Sequence, residues 1–185
     1  MTYQEILEAA RTCSGPYCKA CPVCNGRACK NTMPGTGAKG TGTVAAKNYD
    51  AWQDVCLNMD TICENGPVDT RFTLFGQTYG LPVFAGPVGA VKLHYGDKFT
   101  DLEYNDILVP ACVQAGIAAF TGDGTDPAVF AAAAKAIGRN GGKGIPTVKP
   151  WDRDTLFQKL DQAKESGAQM FAMDIDAAGL PFLKG

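Results

Sequence analysis

The residues of this chain that could do chemistry fall into two groups. The first follows four short apolar runs, residues 82–85, 117–121, 145–149 and 170–174, which lead into GPVGA, GDG, PWD and IDAAG. Thr121, Lys149 and Asp174 close three of these runs, and Asp176 comes just after the last. A hydroxyl, a cation and two carboxylates at such places are groups that can bind and polarise a ligand, because functional groups of parallel sheets collect at the carboxyl ends of the strands.

The second group is cysteine. The chain has eight, and Cys13, Cys18, Cys21, Cys24 and Cys29 fall within seventeen residues. With no export signal, thiols are more naturally reduced groups or metal ligands than disulfides. The C-x2-C-x2-C spacing of Cys18, Cys21 and Cys24 lets thiolates converge on one centre, and Cys29 or Cys13 supplies a fourth donor. Zinc or an iron–sulfur cluster through Cys18, Cys21, Cys24 and Cys29 is the expectation, against a reduced loop beside a redox cofactor. Cys56, Cys63 and Cys112 read as core residues or bystanders. Next comes PGTGAKGTG, with Gly35, Gly37 and Gly40 in a G-x-G-x-x-G pattern. It follows no strand, so it reads as a loop or lid and not as a dinucleotide site.

The elements that must position these groups follow from the same runs. Apolar segments separated by helix-length stretches are the signature of βα units and a parallel sheet. Helices are expected over residues 3–12 and 48–56, the latter with Trp52 and Val55 facing inward, and over 101–115, 126–140 and 152–166. Asp101 reads as a cap, Pro127 as a first-turn proline and Gly167 as a stop. Residues 70–75 and Tyr79 form a hairpin around Gly76. Two segments result: 1–68, helical and cysteine/glycine-rich, and 69–185, the sheet. The fold class is α/β of the (β/α)8 TIM-barrel type, represented by its first four units, because 185 residues fall short of the ~250 of a complete barrel.

Composition narrows the partners. A net charge of −2 and no basic patch argue against nucleic acid and anionic membranes. The N-terminus MTYQEILEAART is not a signal peptide, and no run is long enough to span a membrane, so the chain reads as cytoplasmic.

The run RFTLFGQTYGLPVFAGPVG, followed in order by AAFTGDG, PTVKPW and AMDIDAAGLPF, resembles the N-terminal half of the FMN-dependent α-hydroxy-acid dehydrogenases and oxidases, the lactate and glycolate oxidase family. The likeness runs from Asp69 to the end and is closest to bacterial members that begin with a cysteine-rich segment. It implies FMN as cofactor and oxidation of a small 2-hydroxy acid to the 2-oxo acid. It places Pro87, Val88 and Gly89 in the turn against the flavin ring and Thr121 at a flavin-contacting hydroxyl. Lys149 stands where the family has a glutamine on the pyrimidine side, Trp151 where it has a substrate-facing tyrosine, and Asp174 where it has a flavin-contacting threonine. Asp176 matches the aspartate that pairs with the catalytic histidine, and a carboxylate there can stabilise an imidazolium. Lys149 would favour the negative charge of a reduced flavin, and Asp174 would oppose it unless Lys149 neutralises it.

The family's histidine base, carboxylate-binding arginines and phosphate grip come from the second half of its barrel. His94, the only histidine, reads as a loop residue, and none of the five arginines is placed at a strand mouth. The expected partner is therefore a missing C-terminal half or a second chain, with self-association through open strand edges. The alternative is a non-catalytic metal-binding or assembly module that docks with a second half-barrel.

Overall fold

The computed structural model describes residues 1–15, 18–29 and 43–175. The chain divides into two compact units, one of Met1–Asp69 with His94–Lys98, the other of Thr70–Leu93 with the chain from Phe99 on.

In the first unit, α1 (Tyr3–Cys13) starts at a capping box in which Thr2 accepts from the Glu5 amide and Glu5 accepts from the Thr2 amide. This satisfies two amides that a helix start otherwise leaves open. The next helix, α2, covers Val44–Ala51 and runs into a 3-10 turn at Trp52–Asp54. Together they span 44–54, beginning and ending earlier than the expected 48–56 helix. Trp52 and Val55 are exposed and do not face inward, because α2 buries no residue and offers them no apolar partner.

The second unit opens with a two-stranded hairpin of β1 (Phe72–Leu74) and β2 (Gln77–Tyr79). Its turn residues Phe75 and Gly76 both have positive φ, 45° and 81°, the two-residue turn whose twist matches that of paired strands. Four parallel strands follow in the order β3 (Phe84–Ala85), β4 (Ala118–Thr121), β5 (Ile145–Val148) and β6 (Ala172–Met173). Sequential order with helical crossovers is the βα arrangement expected. Among the described residues the sheet is open and does not close into a barrel.

The crossovers are α3 (Val91–Tyr95), α4 (Asp101–Gln114), α5 (Pro127–Arg139) and α6 (Arg153–Glu165). α3 had no counterpart in the expected elements. The cap of α4 is Thr100 in a second capping box with Glu103, and not Asp101, which instead accepts from the Val91 amide. Asp126 caps α5 ahead of Pro127, and Asp152 caps α6. Gly167 ends α6 with φ of 78°.

The two faces of the sheet differ. Ala85 and Ala119 pack with Val109, Cys112, Ala136 and Ile137 on the side of α4 and α5. Val148 packs with Phe130 and Ala163 between α5 and α6. The other face carries Phe84, Ala118, Phe120, Ile145 and Ala172 and is partly covered by Leu74 and Tyr79 of the hairpin. On it the Phe84 ring meets Tyr79 and Phe120 edge-on, with centroids 5.3 and 5.8 Å apart.

Candidate functional site at the carboxyl edge of the sheet

Side chains alternate along a strand, so these packing partners fix which way the polar residues point. Thr147 lies between Pro146 and Val148 and shares the hairpin-side face with Ile145; Lys149 continues that face. Thr121 shares the helix-side face with Ala119. The hydroxyls of Thr121 and Thr147 are both buried, and neither has a hydrogen-bond partner. A buried hydroxyl without a partner costs free energy unless a ligand or water completes it.

Beside Thr147, Lys149 Nζ donates to Asp174 Oδ2 at 2.6 Å, with both side chains more than two-thirds buried. The Asp174 amide donates to the Val148 carbonyl at 2.8 Å, which extends the β5–β6 pairing and presents the carboxylate at the same level as the lysine. Lys149 and Asp174 are thus brought together.

The loops below them are packed backbone to backbone. A Cβ on Gly122 would overlap the backbone of Gly89 and Val88, and one on Gly89 would come 2.7 Å from the Asp123 carbonyl. The Pro87–Val88–Gly89 turn therefore lies against the loop that follows β4, and glycine is required there for close approach. Pro87 is exposed, Val88 and Gly89 half-buried.

Trp151, expected to face substrate, is instead packed beside Phe130, Val148 and Ala163 with Leu156 and Leu160. Its indole N–H donates to Asp123 Oδ2 at 2.6 Å. Asp123 and Lys159 were not among the residues expected at the site. Asp123 is buried and accepts from Lys159 Nζ at 2.6 Å. The Lys159 amine also lies 5.0 Å from the Phe130 ring centre and 5.1 Å from that of Trp151. A signal for Lys159 existed: it sits three residues after Leu156 and four before Ala163, on the apolar stripe of α6.

The remaining expected residues stand elsewhere. Asp176 and the Gly35–Gly37–Gly40 segment lie outside the described residues. Cys18, Cys21, Cys24 and Cys29 are not joined in disulfides, and among the described residues no three His, Cys, Asp or Glu side chains are placed to hold one metal ion. The expected zinc or iron–sulfur centre is therefore not supported, and Cys24 is exposed. Burial first, and then the thiolates of Cys18, Cys24 and Cys29, push the Tyr95 phenol above its usual pKa. Arg139 pairs with Asp106, and Arg27 with Asp50, at the surface. His94 meets Tyr95 edge-on at 6.1 Å.

The fold and the edge site define an α/β protein with a cation, carboxylates and buried hydroxyls at the mouths of parallel strands. The family model described as FMN-dependent dehydrogenase matches residues 34–181, and the chain belongs to that family. The match begins well before Asp69 and takes in the glycine-rich segment. No curated protein matches the chain. Among the described residues no helix is long and apolar enough to cross a membrane.

FMN can be tested against the residues present. Thr147 offers a buried, unpartnered hydroxyl on the face that Lys149 and the half-buried rings of Phe84 and Phe120 share. A flavin ring has apolar faces and a rim of carbonyls and N–H groups, so this donor set fits it. Thr121 is equally unpartnered and points to the helix side.

Proposed function

We propose that the chain provides the flavin-facing first half of a TIM-type barrel that oxidises a small 2-hydroxy acid to the 2-oxo acid with FMN. The observation that carries this reading is the orphaned Thr147 hydroxyl beside the Lys149 amine on one face of the sheet. When bound, FMN would take up the two electrons that the substrate carbinol loses. Thr147 would hold the polar rim of the ring. Lys149 would place positive charge where negative charge develops, and Asp174 would set how much of that charge is free. The Pro87–Val88–Gly89 turn would support the ring, and Asp176, as the resemblance implies, would orient the histidine of the barrel's second half. The edges of β3 and β6 would pair with the remaining strands, whether from a continuing chain or a second copy.

Titration of the chain with FMN, followed by quenching of flavin fluorescence, tests the reading. Binding is expected, and Thr147→Val and Lys149→Met should each weaken it about tenfold, the scale of one charge-assisted or buried hydrogen bond. An affinity that neither substitution changes, or no binding at all, overturns the assignment. Without a histidine placed to take the α-proton, the chain alone should not turn over lactate or glycolate above background.

A further inference from the structure

Asp123 accepts four hydrogen bonds, and their distribution is informative. Its Oδ1 accepts from the Gly124 amide at 2.8 Å and from Lys159 Nζ at 2.6 Å. Its Oδ2 accepts from the Lys149 amide at 3.0 Å and from the Trp151 indole at 2.6 Å. One oxygen thus ties the loop after β4 to α6, and the other holds only the strap of Lys149, Pro150 and Trp151 that follows β5.

The strap is itself a tight turn, closed by the Trp151 amide donating to the Lys149 carbonyl at 2.8 Å. Pro150 fixes one of its backbone angles and has no amide to donate. Lys149 is therefore held at both ends, its amide by Asp123 and its amine by Asp174. Shifting the amide would move the amine, since a four-carbon side chain aims from where its backbone is anchored.

We infer that Asp123 is a positioning residue, which with Lys159 as its buried counter-ion fixes the Lys149–Trp151 strap and so aims the Lys149 amine at the site. This rests on the flavin reading for its purpose but not for its geometry. Lys159 neutralises a carboxylate that is almost fully buried and would otherwise be costly. Because Lys159 bonds the oxygen that the strap does not use, the counter-ion and the strap are separable by mutation.

The experiment uses the 185-residue chain and two variants, D123N/K159M and D123A/K159M. Two readouts are taken where circular dichroism shows the native fold. The first is solvent exchange at the Lys149 amide and the Trp151 indole, with the exposed Trp52 indole as internal reference. The second is the FMN dissociation constant.

D123N/K159M removes both charges but keeps an oxygen for the strap, so it should stay near the parent protein in both readouts. D123A/K159M removes the acceptor, so exchange at both sites should rise at least about tenfold and FMN affinity fall about tenfold. Parent-like exchange in folded D123A/K159M overturns the inference, as does D123N/K159M losing as much as D123A/K159M. If D123A/K159M does not fold, W151F serves: it deletes the indole donor, keeps a ring in place, and should speed Lys149 amide exchange several-fold, with no change counting against the inference. If the parent chain binds no FMN, the flavin reading fails, while the exchange measurement still decides whether Asp123 holds the strap.

Discussion

In the sheet unit, Phe130, Ile137, Val109 and Val148 are wholly buried, whereas in the amino-terminal unit α1 buries only Leu7 and α2 buries nothing. Leu57, Met59, Ile62 and Val68 are apolar yet exposed, and Arg27–Asp50 is a surface pair. The same composition thus serves two purposes. Where apolar residues recur with the period of a helix or strand they are drawn together; where they are scattered among glycine, proline and cysteine they stay in solvent. Stability should therefore reside in the sheet unit, and with it the precision of the site.

The largest test of that contrast pairs two ion pairs. Lys159→Ala should cost about 3–5 kcal/mol in urea unfolding followed by tryptophan fluorescence, because it leaves the buried Asp123 carboxylate without its counter-ion. Arg27→Ala removes a pair of similar length whose side chains are half-exposed, and should cost about 1 kcal/mol or less. Equal losses would mean that burial does not separate the two units.

A smaller effect is expected from Gly122→Ala. Its methyl would overlap the backbone of Gly89 and Val88, so one of the two loops must move, at a cost of about 2–3 kcal/mol. Gly15→Ala in the amino-terminal unit, with nothing within 4 Å of the added carbon, should be nearly silent. Thermal melts of both variants check the pair, and a silent Gly122→Ala would show that the loop contact is soft.

Much of the sheet unit is legible because its signals are local. Asp126 followed by Pro127 announces a helix start, and the four βα runs foretell the strands and their order. The site is less legible because its decisive contact spans 36 residues: Asp123 in a GDG loop looks like a turn residue until Lys159 of α6 is placed beside it. The alternation that would separate Thr147 from Thr121 is hidden because every residue of β5 is buried, leaving no polar–apolar rhythm to read. The resemblance turns Trp151 toward substrate, but its indole donates to Asp123, and only packing reveals that. In the amino-terminal unit, cysteine spacing suggests convergence, while among the described residues no three potential ligands are placed to hold one metal ion.

The smallest expected effect concerns acid. The amide and hydroxyl of Thr100 hold the Glu103 carboxyl below its usual range, and bonds from Thr155 do the same for Asp152. A carboxyl whose folded pKa is depressed contributes stability that is fully present above its unfolded value and is lost as pH falls through the folded one. Both groups sit at the starts of sheet-unit helices, α4 and α6, so mild acid should first fray those two starts. Both carboxyls are exposed, which keeps the loss small. Melting temperature measured on descending from neutral pH through the carboxylate range should fall less steeply in Glu103→Gln and Asp152→Asn than in the parent. If the slope is the same in all three, those capping carboxylates do not contribute to the acid dependence of the sheet unit.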